Sequence, residues 1–119
     1  MQSFREFKVW QRAHELAIRV YKVTEEFPRA QERGITMQLQ RSSLSVPSNI
    51  AEGSKRKSKV EFARFLNIAE GSAAEMSYQL LFARDVGLIS ADRANALMTE
   101  ADEICKMLHV FRLKVEQSS

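Results

Sequence analysis

Six cations fall between positions 41 and 64 of this 119-residue chain: Arg41, Lys55, Arg56, Lys57, Lys59 and Arg64, against Glu52 and Glu61 alone of opposite sign. Lysine and arginine take phosphate oxygens by charge and hydrogen bonding, so such a group suits a polyanion, nucleic acid above all. The plainer reading of the same residues is a solvated surface. No aromatic residue stands among Lys55, Arg56, Lys57 and Lys59, so base stacking on a single strand is not supported. Recognition of shape and phosphate is the expected mode.

Charge is unevenly placed along the chain. Residues 1–40 carry a net +2, residues 41–64 carry +4, and residues 65–119 carry −3. A basic middle third offset by an acidic last third predicts one basic surface. Chemistry of other kinds is not written here. His14 and His109 are the only histidines, and nothing three or four residues after either supplies a second metal ligand. There is no Gly-x-Ser-x-Gly elbow, and Gly53-Ser54-Lys55 lacks the upstream glycine of a phosphate loop. The expectation is a non-catalytic protein with no metal and no cofactor.

The elements that must position these cations are helical. Hydrophobic residues make up 45% and charged residues 28%, the balance of a folded domain. Two prolines, four glycines and no alternating β-branched run argue against sheet. The length suits one domain, residues 1–119. The lone Cys105 excludes an internal disulfide and fits a reducing compartment. No apolar run approaches the ~18 residues of a membrane span, and the opening residues lack the apolar stretch of a signal peptide, so the expected location is the cytoplasm.

Four helices follow from the hydrophobic spacing, at about 6–27, 36–52, 59–86 and 91–115. In the first, Val9, Ala13, Leu16, Val20, Val23 and Phe27 step by fours and threes, and Trp10, Ala17 and Tyr21 form a second stripe. So wide an apolar arc predicts a further contact, with Trp10 and Tyr21 at a subunit interface. The second helix has Thr36 as its expected cap and an oddly polar inner face that includes Ser42 and Asn49. It is interrupted by Pro47, which removes a donor and crowds the Ser43 carbonyl, predicting a kink. Gly53 offers a left-handed stop.

Ser58-x-x-Glu61 suits a capping box opening the third helix, whose seam is Phe62, Leu66, Ala69, Ala73, Met76, Leu80 and Ala83. Gly71 costs that helix about 1 kcal/mol relative to alanine, which predicts close approach of the second helix there. Gly87 ends the third helix and Ser90 caps the fourth, where Ala94, Leu97, Ala101, Ile104, Leu108, Phe111 and Val115 continue the repeat. Short connectors then predict an antiparallel up-down-up-down four-helix bundle.

Several stretches resemble a known family. They are Phe7-Lys8-Val9-Trp10-Gln11, Gln38-Leu39-Gln40-Arg41, Ser45-Val46-Pro47-Ser48-Asn49-Ile50-Ala51-Glu52-Gly53 and Ile68-Ala69-Glu70-Gly71-Ser72 with Glu75. Together they resemble the four-helix-bundle proteins named after intervening sequences in bacterial 23S ribosomal RNA. The resemblance implies a left-handed bundle assembled as a homopentamer. It also implies similarity to the accessory proteins of diversity-generating retroelements, which bind nucleic acid and a reverse transcriptase. Pro47, Asn49, Glu52, Gly53, Gly71 and Glu75 become motif positions, with Glu75 expected to pair with Arg41 or a helix amide. Ser42-Ser43 and Ser77-Tyr78-Gln79 depart from the family pattern.

Three functions stay open on these residues. The first is a non-catalytic homo-oligomer that binds structured nucleic acid, RNA before DNA. The second is a protein–protein adaptor, such as a reverse-transcriptase accessory subunit. The third is a structural bundle with no polyanion ligand.

Overall fold

The computed structural model describes residues 3–118, which form four α-helices with no strand among them. α1 spans Lys8–Thr24, α2 Met37–Gly53, α3 Lys59–Asp85 and α4 Ala91–Gln117. Packing joins α1 to α2, α2 to α3, α3 to α4 and α4 back to α1, so the helices go round in chain order. Side-chain bonds give their directions. Ser42 meets Gln79 while Ser45 meets Ser72, so α2 and α3 run oppositely. Arg84 meets Asn95 while Glu70 meets Arg112 across α3 and α4. Arg12 meets Glu100, and Glu26 just past α1 meets Arg93, so α1 and α4 are also antiparallel. The product is an up-down-up-down bundle of 48 × 22 × 20 Å. Connectors of five residues, 54–58 and 86–90, leave no length for a parallel return.

The four-three seams are the core. Val9, Ala13, Leu16 and Val20 of α1 meet Leu39, Val46 and Ile50 of α2, all buried. Leu66, Ala69, Ala73, Met76, Leu80 and Ala83 of α3 close on Ala94, Leu97, Ala101, Ile104 and Leu108 of α4. Removing these side chains from water supplies most of the bundle's stability, at about 25 cal/mol per Å² of apolar area. One end holds an aromatic group: Phe7 lies edge-on to Phe111 at 5.2 Å and stacks on Phe62 at 6.4 Å. Among the described residues no helix is long and apolar enough to cross a membrane.

Local chemistry sets the helix ends. Ser58 accepts from the Glu61 amide at 3.1 Å, and Ser90 from the Arg93 amide at 3.3 Å, each capping the helix that follows. Gly87 takes φ +86°, the only positive φ among the described residues. Its amide bonds the Arg84 carbonyl while the Leu88 amide bonds that of Ala83, the paired closure that favours glycine at this position.

Other expectations give way. α1 starts at Lys8 because Phe7 is extended, and Ser3 caps a separate turn at Phe4–Glu6 by accepting from Arg5. The helix ends at Thr24, leaving buried Phe27 in the turn before Pro28. Thr36 does not cap α2: it is already helical, because short turns at Arg29–Gln31 and Glu32–Thr36 precede it. The break falls instead at Gly34, with φ −114° and ψ −117°. Thr36 Oγ1 is left buried without a partner.

α2 runs through buried Pro47 as a single helix, and the side chains of Ser43 and Asn49 bond within it. Asn49 Nδ2 donates to the Ser45 carbonyl at 2.8 Å and to Ser45 Oγ at 2.9 Å, while Ser43 Oγ donates to the Gln40 carbonyl. Gly71 does not serve a close approach within the chain: it is exposed, and a Cβ built there meets nothing within 4 Å. The small-residue contact between α2 and α3 is made beside it, where Ser45 and Ser72 hydroxyls lie 2.8 Å apart.

Candidate nucleic-acid interface

The connector from α2 to α3 is built from its anchors outward. Gly53 is not a left-handed stop. It is helical and buried, and an added Cβ would lie 2.6 Å from Phe65 Cβ and 3.1 Å from Phe62 Cδ1. Only glycine lets the end of α2 lie this close to the start of α3. Ser54 then folds back, its hydroxyl donating to the Ala51 carbonyl at 2.7 Å. The Lys55 and Arg56 amides bond the Glu52 and Gly53 carbonyls, and Ser58 opens α3. Pinned at both ends, the connector leaves Lys55, Arg56 and Lys57 exposed at the aromatic end of the bundle.

The flanking arginines are held. Arg56 pairs with Glu52 at 2.8 Å, one helical turn away, and its guanidinium lies 5.0 Å from the centre of the Phe65 ring. Arg64 pairs with Glu61 at 3.2 Å and lies 4.8 Å from the same ring. The Arg64 hydrogen bond, then its charge, hold the Glu61 carboxyl below its ordinary value, and Glu61 raises Arg64 in turn. That pairing draws Glu61 away from competing for the amides at the start of α3. Lys55 and Lys57 form no ion pair among the described residues, whereas Lys59 is engaged. Five cations against two carboxylates leave this end with a net charge of +3 between residues 52 and 64.

The six cations are not one group. Arg41 lies roughly 20 Å back along α2, fourteen residues at 1.5 Å each. There it lines a cleft with Glu75, Ser42, Ser45, Ser72 and Gln79. The expected Glu75–Arg41 ion pair does not form among the described residues; the bonds across that contact are Ser42 to Gln79 at 2.6 Å and Ser45 to Ser72. Phe65 was missed by reading the sequence beside the cations. Its position one residue past Arg64 and twelve past Gly53 was the available signal, but only the fold stacks both arginines on it. Being buried, Phe65 braces cations and offers no face to a base.

Trp10 and Tyr21 also part. Trp10 is half-buried, edge-on to Phe4 at 5.0 Å and stacked on the His14 ring at 4.9 Å. Tyr21 is exposed, in a groove between α1 and α2 that includes Ile18, Met37 and Leu44. A second exposed apolar stripe runs along α3 through Ile68, Tyr78, Phe82 and Val86, with Gly71 among them. Cys105 is half-buried near the Glu70 carbonyl; burial first, then the charges of Glu70 and Asp102, push its thiol up and keep it protonated.

The comparisons with known proteins agree with this architecture. No curated protein matches the chain. A solved protein of unknown function from the S23 ribosomal protein family of Bacteroides thetaiotaomicron VPI-5482 is similar to it, at 27% identity and a TM-score of 0.79. The match covers 87% of this chain and 97% of that one. The model of the family described as 23S rRNA-intervening sequence protein matches residues 5–110. With that span and the bundle it encloses, this chain belongs to the 23S rRNA-intervening sequence protein family.

Proposed function

We propose that this chain is a non-catalytic homo-oligomer, a pentameric ring, that binds structured RNA through its α2–α3 connectors. The observation that carries the reading is the presentation of Lys55, Arg56 and Lys57 on a five-residue connector fastened by Ser54 and Ser58. Fastened cations at one end of a rod act together on a polyanion, whereas cations spread along it act singly. The ribosomal RNA in the family's description supports RNA as the polyanion.

The ring reading draws on two unlike apolar surfaces. The α1–α2 groove and the α3 stripe lie on different sides, with Leu44 61% exposed on one and Tyr78 63% exposed on the other. A surface of one kind meeting a surface of the other is a head-to-tail contact, which closes into a ring when the rotation allows. Gly71 on the α3 stripe offers a neighbouring helix room to approach. Repeating the connector around a ring then adds weak sites by avidity. The same stripes also favour the second reading, an adaptor that docks a protein partner.

Salt titration of RNA binding tests the proposal. Each phosphate contact contributes about −0.7 to −0.9 to the slope of log K against log salt. Changing Lys55, Arg56 and Lys57 together to alanine should flatten that slope by about 2 to 3 and leave the oligomer intact by light scattering. An unchanged slope, or tight binding indifferent to salt, would remove the connector from the interface.

A further inference from the structure

Charge is divided along the length of the bundle. With each helix cut at its middle, the end that carries the α2–α3 connector holds eleven basic and six acidic side chains, and the other end holds seven and nine. A rod 48 Å long thus carries a net +5 at one end and −2 at the other. Residues 52–64 account for only +3 of the positive end.

The remainder lies across the bundle from the connector. Because the helices go round in chain order, the α1–α4 seam is on the side opposite the α2–α3 seam. The first turn of α1 and the last turn of α4 meet there over the aromatic group formed by Phe7, Phe62 and Phe111, and Phe62 also abuts Gly53 at the connector. Lys8, beside Phe7, and Lys114, about one turn past Phe111, line a groove with those two rings, and both lysines are exposed. Arg5 stands on the turn Phe4–Glu6, which packs against α2. Its carbonyl accepts from Gln11 Nε2 at 2.8 Å, and its guanidinium lies 5.0 Å from the centre of the Phe4 ring. Of the carboxylates at this margin, Glu116 is taken by Arg112 at 3.0 Å, so Glu6 stands against three cations. Glu103 also lines the groove, about three turns back along α4.

We propose that Arg5, Lys8 and Lys114 form, with the connector, one phosphate-binding rim around this end of the bundle, and that the rim takes the stem of a double-helical RNA laid across it. The inference rests on the reading that the connector binds RNA and extends it to a ligand shape and a second surface. The cross-section of 22 × 20 Å sets how far apart the two sides of the rim stand. A double helix carries one phosphate charge per ~1.7 Å of axis, so it presents about a dozen phosphates over such a width. Being stiff on this scale, it holds them there without the cost of ordering a flexible chain. A single strand finds no compensating platform, because the faces and edges of Phe7, Phe62 and Phe111 are spent on one another. The acidic half of the rod repels the same ligand, which confines it to one end.

The test is a salt titration of binding to an RNA hairpin with a stem of about twenty base pairs, beside an unstructured oligouridylate of equal phosphate number. Changing Arg5, Lys8 and Lys114 together to alanine should flatten the slope of log K against log salt by about 2 to 3 for the hairpin. Changing Lys22, Arg29 and Arg33 to alanine removes the same charge from the far end and should move the slope by less than about 1. Arginine at positions 8 and 114 should keep the parent slope, which separates lost charge from lost fold. The hairpin should bind about tenfold or more tightly than the oligouridylate. If the alanine variant at Arg5, Lys8 and Lys114 keeps the parent slope while the connector variant flattens it, the rim is overturned and the connector reading stands. If neither variant changes the slope, both readings fall. Equal flattening by the far-end variant, or equal affinity for the two RNAs, also overturns the rim.

Discussion

Replacing Gly53 with alanine should destabilise the bundle, although alanine is the better helix former. Two terms compete. A helical glycine costs up to about 1 kcal/mol relative to alanine, a gain reduced here because the site lies in the last turn. Against it stands the built Cβ at 2.6 Å from Phe65 Cβ, where carbon atoms ordinarily rest about 3.5 to 4.0 Å apart. The end of α2 must move outward by about 1 Å, and overpacking of this kind costs about 1 to 3 kcal/mol. The net expectation is a loss of about 1 to 2 kcal/mol. For a chain of this length that is roughly 4 to 8 °C in Tm. Thermal and urea unfolding, followed at more than one protein concentration, read it directly. Phe62→Ala in the same chain should not rescue it, because the closest contact is to a Cβ that every residue except glycine carries. A Gly53→Ala variant as stable as the parent, or more so, would refute the reasoning and return Gly53 to the role of a simple terminator.

Gly71→Ala has open space around its new methyl, so a dissociated chain should gain about 0.5 to 1 kcal/mol in urea unfolding. If the α3 stripe meets a second copy, the same change weakens association in sedimentation, and the opposite signs of the two effects mark the interface. At low pH the Arg12–Glu100 pair, joined at 2.6 and 2.9 Å, should register. The Arg12 hydrogen bond holds the Glu100 carboxyl below its ordinary 4.5, so its contribution is present above that value and is lost as pH falls through the lower folded one. Glu100→Gln should therefore narrow the difference between urea midpoints at pH 7 and pH 3, and an unchanged difference would exclude the pair as a source of acid sensitivity.

Much of the architecture is legible in the residue spacing. The heptad seams of α1, α3 and α4 name core residues because burial repeats with the turn of the helix, and Ser58, Ser90 and Gly87 announce ends whose chemistry is local. What is not legible depends on distance across the bundle. Glycine signals both a left-handed backbone and a close approach, so Gly53 and Gly87 look alike in sequence and differ in the fold. Gly71 shows a third case, a glycine facing outward. Thr36 has the residue type of a cap but follows turns already helical. Arg41 belongs with the connector cations by sequence separation and lies apart from them by helix length. Arg12 and Glu100 stand 88 positions apart, and no local pattern links them.

The stacking of Arg56 and Arg64 on one buried phenylalanine has a consequence for the temperature response of any anion captured at that end. Both guanidiniums have surrendered most of their rotamer freedom before a ligand arrives, whereas Lys55 and Lys57 still hold theirs, worth up to about 2 kcal/mol apiece. Contacts to the two arginines are thus prepaid in entropy and contacts to the two lysines are not. Warming should loosen the lysine contacts first, leaving an anion gripped at the braced pair.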